Sequence, residues 1–307
     1  MELSLRSVIL GIINLVLMLG LAPLFEGILR KVTARIQSRQ GPPLLQPYFD
    51  LLKLLGKEDI ESGQSPMMQR FSAFLSLATL LTVSLQIPIG GQAPLGGQSD
   101  VILLIYLLTL SGISTLLAAL AAGSTYSLVG MSREMMAMMT LEPLLAVAIV
   151  IGAVHTGTLR LNSILNGSVY ASSVWPIAGL IILGIILFAL QAFIGRMPFD
   201  TAEAETEIME GPVVEYSGPK LALFKYARMV KLFVYSGLFI SLFIPWGRTG
   251  FYPLDVIIFL AKVTVLVLIA TVIAATHARY RIDQAIRYYA GLFGLALVAL
   301  IFAVSGY

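Results

Sequence analysis

The sequence predicts an all-α, polytopic membrane protein, and three observations predict it. Of its 307 residues, 58% are hydrophobic and only 12% charged, about half the charged share of a soluble domain. Uncharged runs at Phe71–Ser99, Val101–Ser132 and Leu161–Gly195 exceed the roughly 20 residues needed to cross a bilayer. Lys and Arg are unevenly shared among the loops, as a fixed orientation requires. Together these give about eight transmembrane helices near residues 8–29, 70–89, 101–122, 135–157, 174–195, 224–246, 255–277 and 288–305. They form a single integral membrane domain over 1–307, with longer cytoplasmic loops at about 30–69 and 196–223.

Sixteen of the twenty Lys and Arg residues fall in or beside the first, third, fifth and seventh loops. Arg6, Arg160 and Arg248 lie on the opposite side, and Lys262 falls inside a span. The positive-inside rule then puts both termini outside and those loops in the cytoplasm, as a multi-pass protein of the cytoplasmic (inner) membrane. The first apolar stretch is too long for a signal peptide, and no small-residue cleavage site follows it.

Composition also excludes chemistries. With no cysteine, the chain has no disulfide and no thiolate ligand for an iron–sulfur cluster. His155 and His277 are far apart in sequence, which argues against a metal site built on this chain alone. No phosphate loop, dinucleotide fingerprint or nucleophile–histidine constellation is present. The net charge of +3 follows from topology and does not suggest nucleic acid.

In order along the chain, Glu26 near the inner end of the first span reads either as a snorkelling group or as a buried contact. The first inner loop then places Leu44, Tyr48, Leu51, Leu52 and Leu55 on one side of a helix, with Asp50, Lys53 and Lys57 on the other. At about 14 residues this helix is too short to span, which suits an amphipathic element in the interface. The outer loop at 89–99 is rich in Gly and Pro and reads as a turn.

The fourth span opens with Ser132-Arg133-Glu134 and carries Glu142 two turns further on, just before Pro143. A carboxylate at that depth is costly and faces the bundle interior or water. Two readings stand for it: a buried pair with Arg133, or a place on an ion path. His155 near the outer end reads as interfacial. Arg196–Pro219 holds Asp200, Glu203, Glu205, Glu207, Glu210 and Glu215, six of seventeen acids. Asp200 is placed to cap a helix with Glu203 at its third position, and Gly211-Pro212 to stop it. Steps of three, four and three put Asp200, Glu203, Glu207 and Glu210 on one helix face. Like charges so close favour protonation of some, which suits a relay of protons or cations. Lys225, Arg228 and Lys231 open the sixth span. Snorkelling accounts for the first two, while Lys231 is deep enough to pair with the acids. Lys262 is a second intramembrane cation. In the last inner loop Arg279 and Asp283 are spaced to pair, beside Arg281.

Three segments carry a family resemblance. Ala34-Arg35-Ile36-Gln37-Ser38-Arg39-Gln40-Gly41-Pro42, with Gln46, Asp50 and Lys53 beyond it, resembles the first cytoplasmic loop of the quinone-chamber membrane subunit of respiratory complex I. Pro198-Phe199-Asp200 through Glu205, and Glu215-Tyr216-Ser217-Gly218, resemble that subunit's acidic loop. Arg279-Tyr280-Arg281-Ile282-Asp283-Gln284 resembles its last inner loop. One departure is instructive. Quinone-reducing members usually have Gly-Pro-Asn-Arg, whereas here Gly41-Pro42 leads into Pro43-Leu44. Together with Leu141-Glu142-Pro143, Glu207–Pro212 and Ile244-Pro245-Trp246-Gly247, this makes the chain most similar to the homologous subunit of membrane-bound energy-converting nickel–iron hydrogenases, of the formate hydrogenlyase and Ech type.

The resemblance implies a non-redox subunit of an oxidoreductase and translocase complex, anchoring it and coupling proton reduction or hydrogen oxidation to H⁺ or Na⁺ transport. It implies no cofactor on this chain. A nickel–iron site and iron–sulfur clusters are expected in hydrogenase large and small subunits and iron–sulfur subunits, beside antiporter-like membrane subunits. Asp200, Glu203, Glu205 and Glu215 would sense the redox step, and Glu142 would lie on the membrane path with Arg133 adjusting its charge. Arg35, Arg39, Gln46, Asp50, Lys53, Arg279, Arg281 and Asp283 would face docking partners. A quinone- or ferredoxin-linked complex I relative is the alternative, followed by a secondary transporter or an assembly scaffold.

Overall fold

The structure is a computed structural model that describes residues 5–60, 65–170 and 176–306. Its helices are α1 (Leu5–Ile36), α2 (Gln46–Leu55), α3 (Pro66–Ser84), α4 (Val101–Ala122), α5 (Thr125–Thr156), α6 (Leu161–Ile164), α7 (Ile177–Ile194), α8 (Glu205–Ile208), α9 (Gly218–Phe243), α10 (Tyr252–Thr276) and α11 (Ile282–Val304). Among the described residues there is no strand, only a lone bridge between Asp100 and Arg160. Seven helices are long and apolar enough to cross a membrane. The second predicted span is α3, which has the length at 19 residues. Gln69, Arg70 and a series of Ser and Thr dilute its apolar character. The first two residues of the predicted 174–195 span lie outside the described residues.

α1 and α5 outrun their sequence boundaries most, and α9 and α11 each start six residues early. α1 and α5 each have 32 residues, or about 48 Å at 1.5 Å per residue, against a hydrocarbon core of about 30 Å. α5 starts at its cap, where Ser124 Oγ accepts from the Ser127 N–H at 3.2 Å, and the extra turns bring Arg133 and Glu134 onto a helix continuous with Glu142.

α9 is the most enclosed span, packed on α1, α2, α3, α7 and α10. Phe233 and Phe243 are fully buried on it, and Phe233 meets Phe25 of α1 at a ring separation of 5.3 Å. α11 closes the bundle against α5 and α7.

Two local features fix α2 beside α1. A Cβ on Gly27 would lie 2.1 Å from the Leu44 carbonyl oxygen, so only glycine lets the approach to α2 lie on α1. Pro23 lacks an N–H and leaves the Leu19 carbonyl of α1 without its helical donor. The Tyr226 hydroxyl donates to that carbonyl at 2.6 Å, and the Tyr48 hydroxyl of α2 donates to its neighbour, Gly20. An unpaired carbonyl within the bilayer is unfavourable, and the Tyr226 hydroxyl supplies the donor that the proline lacks. Leu51 turns inward from α2, while Phe49, Leu52 and Leu55 are exposed. The predicted apolar side is therefore divided between the protein and its outer surface.

The acidic segment corrects an expectation. No helix runs from Asp200 to Gly211. Turns at 201–203 lead to the four-residue α8, and Met209 takes a positive φ before a 3₁₀ turn at Gly211–Val213. Gly211 has φ +53°, and a Cβ there would lie 2.1 Å from the Ala202 carbonyl oxygen. The segment folds back on itself there, which a continuous helix forbids.

Candidate functional site

The acidic segment closes its turns with backbone hydrogen bonds, such as the Ala204 N–H to the Asp200 carbonyl at 2.9 Å, and its carboxylates reach outward. Asp200 Oδ1 and Oδ2 accept from Arg279 Nε at 2.8 Å and Nη2 at 2.6 Å. Glu203 pairs with Arg228 of α9. Glu207 accepts from Arg133 Nη1 of α5 at 2.6 Å, and Glu210 lies 3.5 Å from Lys225 Nζ of α9. Four acids predicted to repel one another along one face instead hold four separate cations. Tertiary pairing has replaced the helix that would have aligned them. The expected local partnerships change with it. Arg279 bonds Asp200 and the Thr206 hydroxyl and leaves Asp283, while Arg281 and Asp283 stand 4.0 Å apart on the surface.

These pairs are unequal. The side chains of Asp200 and Arg279 are 13% and 18% exposed and bonded at two points, the geometry of the strongest ion pairs. Glu207 and Glu210 are nearly half exposed, where a pair is worth at most about 1 kcal/mol. Burial pushes the Glu203 carboxyl up from the ordinary carboxylate range, against the pull of Arg228 and Arg196.

Beneath the loop lies a cavity of about 170 Å³, enough for on the order of ten waters. Its polar wall includes Glu134 and Glu142 of α5, Asp200, Glu203 and Glu210 of the loop, and Lys225, Arg228, Lys231 and Tyr235 of α9. Leu80, Leu108, Leu141 and Phe193 supply apolar walls. Glu142 is partly buried and accepts a hydrogen bond from the Thr109 hydroxyl of α4 at 3.1 Å. The pairing of Arg133 with Glu142 is not formed. Nine residues of helix separate them axially by about 13.5 Å, and Arg133 turns to Glu207 and the Thr201 carbonyl. Lys231 lies 5.9 Å from the centroid of the Tyr235 ring.

Other predicted residues fall elsewhere. Glu205 and Glu215 are exposed around the loop. Lys262 lies apart, at the far end of α9, where its ammonium donates to the carbonyls of Ile244, at 2.8 Å, and Trp246. It caps a helix end. Among the docking residues, Arg35, Arg39, Lys53, Arg281 and Asp283 are exposed. Gln46 and Asp50 are engaged within the chain, 3.0 Å from each other, with Arg30 Nη1 donating to Asp50 at 2.8 Å. His155 bonds only the Ser168 carbonyl among the described contacts, at 3.2 Å. Among the described residues no group of three His, Asp or Glu side chains gathers as a metal site.

The sequence reading missed a second cluster. Glu26, 4% exposed, accepts from Arg30 Nε at 3.2 Å and pairs with Arg196 at the head of the acidic loop. Arg228, assigned to snorkelling, turns inward to Glu203. The i, i+4 spacing of Glu26 and Arg30 was a visible signal, but the contact with Arg196, 170 residues away in sequence, was not.

Comparisons with known proteins give the family. The NADH dehydrogenase family matches residues 8–304. Formate hydrogenlyase subunit 4 of Escherichia coli strain K12 is 32% identical over 305 residues, covering 96% of this chain and 98% of the relative. Hydrogenase-4 component C of the same organism is 33% identical over 308 residues, covering 97% and 96%. A chain in the structure of the membrane-bound sulfane sulfur reductase, an archaeal respiratory membrane complex, superposes with a TM-score of 0.86 at 28% identity. That match covers 99% of this chain and 100% of the other. The chain belongs to the NADH dehydrogenase family, as a membrane subunit of complex I-like or hydrogenase-type respiratory complexes.

Proposed function

We propose that this subunit couples the redox step of a membrane-bound, energy-converting nickel–iron hydrogenase to ion transport, with the acidic loop receiving the signal and Glu142 passing it into the bilayer. The observation that carries the proposal is the cavity. It joins the loop carboxylates, three of which line it, to an intramembrane glutamate and Lys231 in one space large enough for a chain of waters. Relatives named for formate hydrogenlyase and hydrogenase-4 favour hydrogen turnover as the partner reaction. The nickel–iron site, the iron–sulfur clusters and the antiporter-like channels belong to partner subunits in this reading.

In this reading the acidic loop faces the cytoplasm and both termini lie outside, as the Lys and Arg distribution suggests. In support of one shared face, the loop touches the other inner loops directly. Asp200 meets Arg279, Lys220 lies 3.3 Å from Asp59, and Ser217 Oγ accepts from the Ile60 N–H at 3.1 Å. A soluble redox module docking there sits over Arg35, Arg39, Lys53 and Arg281. Moving one charge against 100 mV costs about 2.3 kcal/mol, so a single coupled ion is a modest load. Replacement of Glu142 with Gln keeps the shape and the Thr109 contact but removes the charge. In vesicles bearing the purified complex, hydrogen turnover should persist while ion transport is lost. Undiminished transport in E142Q would refute the assignment.

A further inference from the structure

Glu203 and Glu26 share two arginines. Glu203 lies on the cavity wall and pairs with Arg228. Glu26 lies outside the cavity, 4% exposed on α1, and pairs with Arg196 and Arg30. The two pairs stand side by side: Arg228 Nη2 lies 3.5 Å from the carbonyl of Gly195, the residue before Arg196, so each guanidinium is within electrostatic reach of the other pair's carboxylate. Each keeps a buried Nε without a hydrogen-bond partner, so neither guanidinium is saturated where it sits. Arg30 reaches on to Asp50 of α2 at 2.8 Å. Three carboxylates (Glu26, Asp50, Glu203) and three guanidiniums (Arg30, Arg196, Arg228) thus form one neutral cluster, of which Glu203 and Arg228 border the cavity and Glu203 is the one carboxylate that does.

We infer that Glu26 is a positioning residue for the ion path: it competes with Glu203 for Arg196 and Arg228 and so sets how readily Glu203 holds a proton. This rests on the reading of the cavity as that path. With Glu26 charged, the arginines are divided and Glu203 is the more easily protonated. When Glu203 is protonated the cluster carries one excess positive charge, and Arg228 is released toward Glu26. Through Arg30 and Asp50 the same shift reaches α2, giving the surface helix a mechanical link to the cavity. The other charged groups facing Glu203 are Lys231 of α9 and Glu134 of α5. Those facing Glu26 are Arg30, Arg196 and Arg228.

The test is a pH titration of Glu203 by infrared difference spectroscopy on the purified complex in nanodiscs, its carboxyl band assigned by loss in E203Q. In E26Q both arginines turn to Glu203, and its midpoint should move toward acid by about one pH unit. In R30Q, whose side chain is 37% exposed in the native protein and so tolerates replacement, Glu26 draws the arginines away and the midpoint should move toward alkali. Opposite shifts support the inference, and the R30Q arm decides it if E26Q fails to assemble. No shift, or an alkaline shift in E26Q, overturns it, since a merely structural Glu26 would lower stability without moving the midpoint. Transport is measured in parallel. Transport that survives E203Q overturns Glu203 as part of the ion path, while the two shifts still decide what Glu26 does.

Discussion

Replacing Asp200 with Asn tests whether the acidic loop is held by its ion pairs. The carboxylate accepts two hydrogen bonds from Arg279, at 2.8 and 2.6 Å. Removing one partner of a fully buried pair costs about 3–5 kcal/mol. Here the side chains are 13% and 18% exposed, and Arg279 keeps its bond to Thr206 at 2.7 Å. Solvent screening and that remaining bond reduce the loss to about 2 kcal/mol. The loss falls on local opening of residues 199–208, because the adjacent helices have their own apolar packing. At 1.4 kcal/mol per factor of ten, hydrogen exchange of the amides of Ala204, Glu207 and Ile208 should quicken about 30-fold. Their carbonyl partners are Asp200 and Ala204, so these amides report directly on the turn. Exchange in α4 and α7 should be unchanged. Unaltered exchange at Ala204 and Ile208 in D200N would show that the turn, and not the ion pair, holds the loop, and the reasoning would fail.

Further outcomes follow from other contacts. G27A places a Cβ against the Leu44 carbonyl oxygen. Overpacking of this kind costs about 1–3 kcal/mol, and limited proteolysis should cut faster between Ser38 and Leu45 as α2 lifts from α1. Y226F removes the donor to the carbonyl freed by Pro23. It should cost about 1 kcal/mol, seen as a melting temperature lowered by roughly 2–4 °C. For pH, a carboxyl raised in the folded state binds its proton more tightly folded than unfolded. The contribution of Glu203 to closing the loop is then complete below its ordinary range and is lost as pH rises through the raised value. Exchange protection of the loop should fall over that interval in the native complex and stay flat in E203Q.

Much of the fold was legible because the bilayer leaves few choices. Long uncharged runs must become helices whose polar backbone is satisfied internally, and the spans of α4, α7 and α10 emerge close to their sequence boundaries. The ends of α1 and α5 were not legible, because Arg30, Arg35 and Arg133 mark the membrane edge and not the helix edge. The acidic stretch was found by composition. Its geometry was not readable. A 3–4–3 spacing describes a helix only when nothing outside competes, and here Arg279, Arg228, Arg133 and Lys225 compete from distant parts of the chain. The partner of Glu26 was hidden for the same reason: Arg196 is a tertiary neighbour, so the sequence left a snorkelling and a buried reading both open. Lys262 shows the same limit, since a charge inside a span signals a need for partners, and the carbonyls at the open end of α9 that meet it are distant in sequence.

The acidic segment grips α5 through Arg133, α9 through Arg228 and Lys225, and the α10–α11 turn through Arg279. A fastening spread over several anchors of unequal strength fails by degrees. Loss of any one anchor leaves the segment tethered but displaced toward the rest, so damage there should yield complexes that still turn over and translocate with reduced yield. The same redundancy lets sequence drift at Glu207 or Glu210 proceed without penalty as long as Asp200 and Arg279 persist together. Variation across relatives should therefore concentrate at the outer anchors and spare the inner one.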